Sequence, residues 1–386
     1  MTDKKKISTK TVQAGIAEDK AYNAVIPPLY LSSTHKMHGF EQFPEYQYSR
    51  VRNPTRDHLV DALTKLEGGY SAAVTASGMA AIALILHLLN PDDLLIAPYD
   101  CYGRAYRLMC ALSEKGHFKL EFVDQYSESA ASEIAVKKPR MVFIESPSNP
   151  VMRVANIAAI SGACKDARDD CLIVCDNTFL SPILQRPIEL GADIVTHSTT
   201  KFLNGHSDVV GGAVVSKTKE ICEELDFWAN SLGVIGAPFD SYMTLRGLRT
   251  LDLRVKKAQE NAQKIAEMLL KSNHIDDVFY PGLENHEHHK LASEQQKGFG
   301  AMLSFTLKGD HDGCSRFIDA LEIFTLAQSL GGTESLINHP ATMTHVSMGE
   351  EARAKAGVTD NLFRLSVGIE DCEDLLNDLE SALKTL

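Results

Sequence analysis

The chain lacks a disulfide framework. Its eight cysteines are scattered over 386 residues, and Cys171 and Cys175 sit inside one apolar run. This is how buried, reduced thiols are distributed, and it speaks against a secreted, cross-linked scaffold. Long hydrophobic stretches are also missing. The longest, Met79 to Leu89, is interrupted by His87 and is too short to span a bilayer. Lys4, Lys5 and Lys6 stand near the start, but only polar sequence follows, so no secretory signal is read and a cytoplasmic location is expected. Positive charge is in deficit: the net charge of −12 excludes a general nucleic-acid surface, although small anionic substrates respond to local charge. No internal repeat or low-complexity linker is present. The run His286-Glu287-His288-His289 is not H-E-x-x-H, because Lys290 stands where the second histidine is required. A surface loop and no metal site are expected there.

What the chain does have is the composition of a globular protein, 44% hydrophobic and 23% charged, and length for two or three domains. Residues 1–55 have little helical periodicity and read as an arm lying on another surface. From Thr55, a candidate cap, Leu59, Leu63 and Leu66 share one helical face up to Gly68-Gly69. Strand-like runs then alternate with helical ones: Ala72 to Val74, Leu94 to Ile96, Leu120 to Val123, Met141 to Ile144 and Leu172 to Cys175. This alternation predicts an α/β fold, a mainly parallel sheet with helices on both faces, over residues 56–245. Function is then expected at the carboxyl ends of the strands. Residues 246–386 read as a smaller α+β domain. It is entered by one long amphipathic helix from Ser241 to about Ser272, with strands near Ala301–Leu307 and Phe363–Val367 and a last helix from about Asp371.

The stretch Asp193 to Ser207 organises the chemistry. An apolar-alternating run gives way to Ser198-Thr199-Thr200, then Lys201, with Gly205 and Gly211-Gly212 as turn residues around it. A lysine at a strand end can simply reach water. One held between buried strands is pushed toward its neutral, nucleophilic form. Ser77-Gly78-Met79 joins a strand to a helix whose N-terminus suits an anion, though such turns often need a glycine for geometry alone. It matches neither the dinucleotide fingerprint, the Walker loop nor the nucleophile elbow. Asp176 ends an apolar run, as a turn cap or as a carboxylate at the sheet's mouth. Arg364 interrupts an apolar strand and needs a partner, either Glu370 or another acid structurally, or a substrate carboxylate. Tyr102 reads as a half-buried aromatic at a helix start, Asn149 as part of an S-N-P turn, and Arg107 as a solvated helix arginine.

Taken together, Asp193, Ser198, Thr200, Lys201, Phe202, Gly205 and His206 resemble the lysine signature of the pyridoxal-phosphate enzymes of cysteine and methionine metabolism, the trans-sulfuration family. The likeness runs from Tyr48-Ser-Arg50 through Asn53-Pro-Thr55, Asp176-Asn-Thr178, Phe227-Trp-Ala-Asn and Ala341-Thr-Met-Thr-His345 to Gly368-Ile-Glu370. It implies a fold-type I enzyme using pyridoxal 5'-phosphate, with Lys201 as Schiff-base lysine and acid–base group. Gly78, Met79, Ser198 and Thr200 are implied to hold the cofactor phosphate, Tyr102 to stack on the ring, Asn149 to lie near the ring hydroxyl and Asp176 to pair with the ring nitrogen. Arg364 and Ser329 are implied at the substrate α-carboxylate, Arg107 at its distal end and Gln328 beside it. A homotetramer built from dimers follows, with Tyr48 and Arg50 reaching a neighbouring subunit's cofactor phosphate. The implied reaction is γ-replacement on an O-acylated homoserine, expected to be the succinyl ester, by cysteine, giving cystathionine. The alternatives are a cystathionine or methionine γ-lyase, a homoserine-ester sulfhydrylase, and a non-catalytic binding protein, the last opposed by the retention of Lys201, Asp176 and Tyr102. Three places depart from the γ-replacing pattern. Val51-Arg52 stands for arginine-glycine, and Gln47 and Gln328 stand where acids are usual.

Overall fold

The computed structural model describes residues 5–346 and 349–386; the first four residues of the arm, Lys4 among them, lie outside it. Seven strands form the larger sheet: β1 (Ser71–Thr75), β2 (Leu94–Pro98), β3 (Lys119–Val123), β4 (Met141–Glu145), β5 (Leu172–Asp176), β6 (Ile194–His197) and β7 (Gly212–Ser216). They lie in the order β1-β7-β6-β5-β4-β2-β3. The block from β3 to β6 is parallel, and β7 runs antiparallel to both of its neighbours. The two-residue period of the strands sorts their side chains into two layers. Met141, Phe143 and Val174 pack with Ile82, Leu84 and Met109 on one side. Val142, Ile144 and Ile173 pack with Ile157 and Ile160 on the other. Runs apolar at every position are therefore covered by helices on both faces, as a parallel sheet requires.

Six helices matter for the site: α1 (Pro54–Glu67), α2 (Gly78–Leu86), α3 (Gly103–Glu114), α4 (Pro238–Leu248), α5 (Leu251–Lys271) and α6 (Cys372–Leu383). A second sheet is built from β8 (Ile275–Phe279), β9 (Met302–Leu307), β10 (Thr325–Leu326), β11 (Leu336–Asn338) and β12 (Leu362–Ser366), in the order β10-β11-β12-β9-β8. One apolar cluster joins the two parts. It includes Leu59 and Leu63 of α1, Leu248, Val255 of α5, Phe305 and Phe363 of the smaller sheet, and Leu375 of α6.

Three local expectations change. The single helix from Ser241 to Ser272 is two, separated at Arg249-Thr250. Gly247 lies so close to the Asn204 backbone that a Cβ there would stand 2.1 Å from the Asn204 carbonyl oxygen, and the chain turns where it meets that loop. The cap of α1 is Asn53, whose side chain accepts from the amides of Thr55 and Arg56. Thr55 instead ties down the arm, its hydroxyl donating to Pro28 O and accepting from Tyr30 N. The arm also contains a short helix, Ile7–Val12.

Candidate active site

The carboxyl ends of β4, β5 and β6 lie side by side, with Glu145 in register with Asp176 and Asp176 with Thr196. Above them opens a cavity of about 310 Å³. Lys201 reaches it from the turn between β6 and β7, and its Nζ donates to Ser329 Oγ at 2.6 Å. Burial, and then the nearby Arg364 guanidinium, bring the Lys201 amine down from 10.5 to about 8. Ser329 has φ +87°, a left-handed conformation that costs a non-glycine residue roughly 1–3 kcal/mol. The strain is held in place by two contacts at the site: Ser329 O accepts from Arg364 Nη2 and Ser329 Oγ from Lys201.

The turn carrying Lys201 is shaped from below. Gly205 has φ +71°, and a Cβ there would stand 1.8 Å from Arg254 Nη1, so the signature glycine is required twice over. Asp193, at the other end of β6, accepts from Lys165 Nζ and the Ile173 amide; it braces the strand and stays far from the chemistry.

On one wall, Ser77 caps α2 by accepting from Ala80 N. The first amides of α2 have no partner within the helix, and Ser77, Gly78 and Met79 all line the cavity. A Cβ on Gly78 would lie 2.8 Å from Ser198 Cβ, so only glycine leaves this cradle open. Ser198 and Thr200 line the same wall; the Thr200 hydroxyl also accepts from Gly211 N and donates to Gly211 O. Amides and hydroxyls gathered at a helix N-terminus suit a phosphate. Asp176 lies in the same cavity, its carboxyl raised by burial, with Thr178 opposing the rise through a hydrogen bond. A buried carboxyl of this kind is stabilised as the anion by a cation set against it.

Opposite, Arg364 is 2% exposed. Its Nη1 donates to Asn149 Oδ1 at 2.8 Å, and its Nε is buried without a partner among the described residues. The Glu370 ion pair is not formed, because Glu370 accepts from the amide and hydroxyl of Ser335 instead. A guanidinium anchored by neutral acceptors, with an unused N–H, is set up for an external carboxylate. Tyr102, Asn149 and Gln328 complete the walls.

The cavity thus collects Gly78, Met79, Tyr102, Asn149, Asp176, Ser198, Thr200, Lys201, Gln328, Ser329 and Arg364. Three expected residues lie outside its lining. Arg107 is exposed in a neighbouring hollow with Met79, Arg104, Leu108 and Ala111; five residues beyond Tyr102 is about 140° around a helix. Tyr48 is 46% exposed, and Arg50 donates to Asn230 O on the chain's own surface.

Sequence reasoning passed over Glu145. Its carboxylate accepts from the amides of Tyr102 and Asn149 and so fixes two walls at once. Burial, then the charge of Asp176, raises it well above the usual range. The signal was a carboxylate ending an apolar strand, as Asp176 does. His345 was also missed. It is buried, and its Nε2 lies 3.2 Å from Asn149 O. The histidines of the run 286–289 meet the backbone: His289 Nδ1 lies 2.8 Å from Pro281 O, and His286 Nδ1 accepts from His288 N.

Residues 8–384 match the family described as Cys/Met metabolism PLP-dependent enzyme. The chain is 50% identical over 382 residues to cystathionine gamma-synthase of Escherichia coli (strain K12), covering 98% of each. It is 44% identical over 382 residues to cystathionine beta-lyase of Coxiella burnetii, again covering 98% of each. A crystal structure of cystathionine gamma synthase from Xanthomonas oryzae pv. oryzae, in complex with aminoacrylate and cysteine, superposes with a TM-score of 0.96 at 51% identity over 98% of both chains.

Proposed function

From the chain's membership of the Cys/Met metabolism PLP-dependent enzyme family, we propose that it catalyses γ-replacement on an O-acylated homoserine with cysteine, forming cystathionine. The observation that carries the reading is the Lys201 amine, lowered to about 8, in one cavity with Asp176, the Gly78 cradle and the free Nε of Arg364. Pyridoxal phosphate fits this donor set: Gly78, Met79, Ser198 and Thr200 for the phosphate, Tyr102 against the ring, Asn149 near its hydroxyl, Asp176 for its nitrogen, and Lys201 for the aldehyde. Bound there, it supplies a carbonyl for the substrate amine and a ring that takes up electrons from the Cα–H bond.

Arg364 receives the α-carboxylate with its guanidinium, and this directs the Cα–H bond toward Lys201. The neutral Lys201 amine takes the Cα proton and can carry it along the substrate. Ser329 holds that amine by its hydroxyl. Gln328 stands at the mouth, where the second substrate arrives. The acyl group leaves Cγ as a carboxylate and the cysteine sulfur takes its place, the thiol proton balancing the charge. A succinyl ester is the acyl group we favour. Elimination without thiol capture is the second reading, favoured by Gln328 at the mouth and by relatives named as lyases at similar coverage.

The same reading makes the protein a homotetramer with shared sites, Tyr48 and Arg50 serving a neighbour. Exposed apolar residues on the arm, Tyr22, Phe40 and Phe43 among them, support a covering partner. It divides the chain into the arm 1–55, a cofactor domain 56–245 and a C-terminal domain 246–386, in keeping with the two separate sheets. No described helix is long and apolar enough to cross a membrane, and all eight cysteines are free, which supports a cytoplasmic location.

Two measurements test this. Incubation with O-succinylhomoserine should give cystathionine when cysteine is present and mainly 2-oxobutanoate when it is not; no product in either case would overturn the proposal. Borohydride reduction of the loaded protein should label Lys201, and Lys201→Ala should abolish turnover. Label on another lysine would remove Lys201 from its role.

A further inference from the structure

Beneath the cavity floor lies a second set of buried polar side chains that the reaction does not use. Glu67, the last residue of α1, is 0% exposed. Its Oε1 accepts from His197 Nε2 at 2.6 Å and from Asn177 Nδ2 at 2.9 Å. Its Oε2, like His197 Nδ1, is buried with no partner among the described residues. Asn177 Nδ2 also donates to Gln185 O, and Gln185 Nε2 donates to Asn177 Oδ1 and Ser146 O.

As a purely structural choice this is a poor one. A carboxylate at the negative end of a helix dipole is unfavourable, and burying it with an oxygen unmatched adds to the cost. The position of its partners gives it a purpose. His197 directly precedes Ser198, Asn177 follows Asp176, and Ser146 follows Glu145. Successive residues at a strand end point to opposite faces. His197, Asn177 and Ser146 are therefore each the chain neighbour of a residue lining the cavity above, and through Glu67 and Gln185 the set links the ends of β4, β5 and β6 to α1.

We infer that Glu67, gripping Asn177 and His197, is a positioning residue that sets Asp176 and Ser198 for the cofactor. The inference rests on the cavity being the cofactor site. Fixing the ends of two adjacent strands through one oxygen holds Asp176 and Ser198 at a set separation, which ring nitrogen and phosphate must both match. Supporting contacts behind ligating residues typically change affinity on the order of 10–100-fold when removed.

The test uses full-length protein titrated with pyridoxal phosphate and followed by visible absorbance and circular dichroism. Glu67→Met keeps the length of the side chain and removes the oxygen that both donors share. It should raise the cofactor dissociation constant about tenfold or more and, at saturating cofactor, alter the dichroism of the bound band. His197→Leu should do the same, whereas His197→Gln, which keeps an N–H for Glu67, should stay close to the wild type. If Glu67→Met does not fold, the contrast between the two His197 variants decides. A lowered melting temperature with unchanged affinity and dichroism would reduce Glu67 to a structural role and overturn the inference. So would Leu and Gln behaving alike at position 197. A wild-type protein that gains no visible band would overturn the cofactor reading itself.

Discussion

Lys201 and Gln328 face the same cavity and were legible to different degrees. Lys201 stands out because a signature of hydroxyls, glycine and histidine surrounds it. Gln328 has no pattern of its own and is visible only as a departure. On the proposed function it would offer the ammonium of the incoming cysteine a neutral acceptor in place of a carboxylate. A hydrogen bond to a charged group contributes about 1.5–3 kcal/mol against about 1 for a neutral pair. The difference of about 1 kcal/mol is a factor of roughly five to ten in capture. Gln328→Glu should accordingly raise the ratio of cystathionine to 2-oxobutanoate at subsaturating cysteine, with elimination alone hardly changed. An unchanged ratio would show that position 328 does not read the second substrate. The partners of Glu145 and His345 were illegible for another reason. Glu145 meets the Tyr102 amide and His345 the Asn149 carbonyl, each across a long stretch of chain, and such pairings depend on the fold.

Among the elements, the strands of the parallel sheet could be read directly, because burial on both faces leaves continuous apolar runs. The break between α4 and α5 could not. Amphipathic periodicity continues across it, and what ends α4 is the tertiary approach of Gly247 to Asn204. Arg254, 5% exposed, bonds across the junction: Nη1 donates to Phe202 O, Nη2 to Gly247 O and Nε to Thr250 Oγ1. It has no carboxylate partner in these contacts, and burial brings it down to about 10. Arg254→Met takes the donor from the Phe202 carbonyl, whereas Gly247 O keeps its bonds from Thr250, and the change also removes a costly charge. A net loss of about 1–3 kcal/mol is expected, measured as a lower urea midpoint at unchanged slope. The turn behind Lys201 should loosen, so cofactor affinity should fall as well. A variant as stable as the wild type would show that the junction holds without Arg254.

The whole molecule should be sensitive to acid. Burial, reinforced by neighbouring positive groups, holds His286 and His345 down at about 4 against 6.5 when unfolded. For a histidine with a lowered folded pKa, the unfolded chain binds more protons between the two values. Stability is therefore full above pH 6.5 and lost as pH falls toward 4. The loss is roughly 3 kcal/mol for His345 and less for the half-buried His286. Urea midpoints measured from pH 7 to 4 should fall, and more shallowly in His345→Gln; parallel curves would remove His345 from the account. At the same scale, mixed oligomers of Arg50→Ala and Lys201→Ala subunits should regain activity if sites are shared, because one kind of site then carries both intact residues. Verified mixed oligomers without activity would show that each chain completes its own site.

The cavity walls come from segments spread along nearly the whole chain, from Ser77 to Arg364. During synthesis the lysine emerges long before the arginine. An incomplete chain on the ribosome has the nucleophile but lacks the strained serine that holds it and the guanidinium that lowers its proton affinity. Until β12 joins the smaller sheet, Lys201 has no Arg364 beside it, and only burial, the larger of the two influences, can lower its amine. The last step in tuning the lysine thus waits on a strand near the end of the chain.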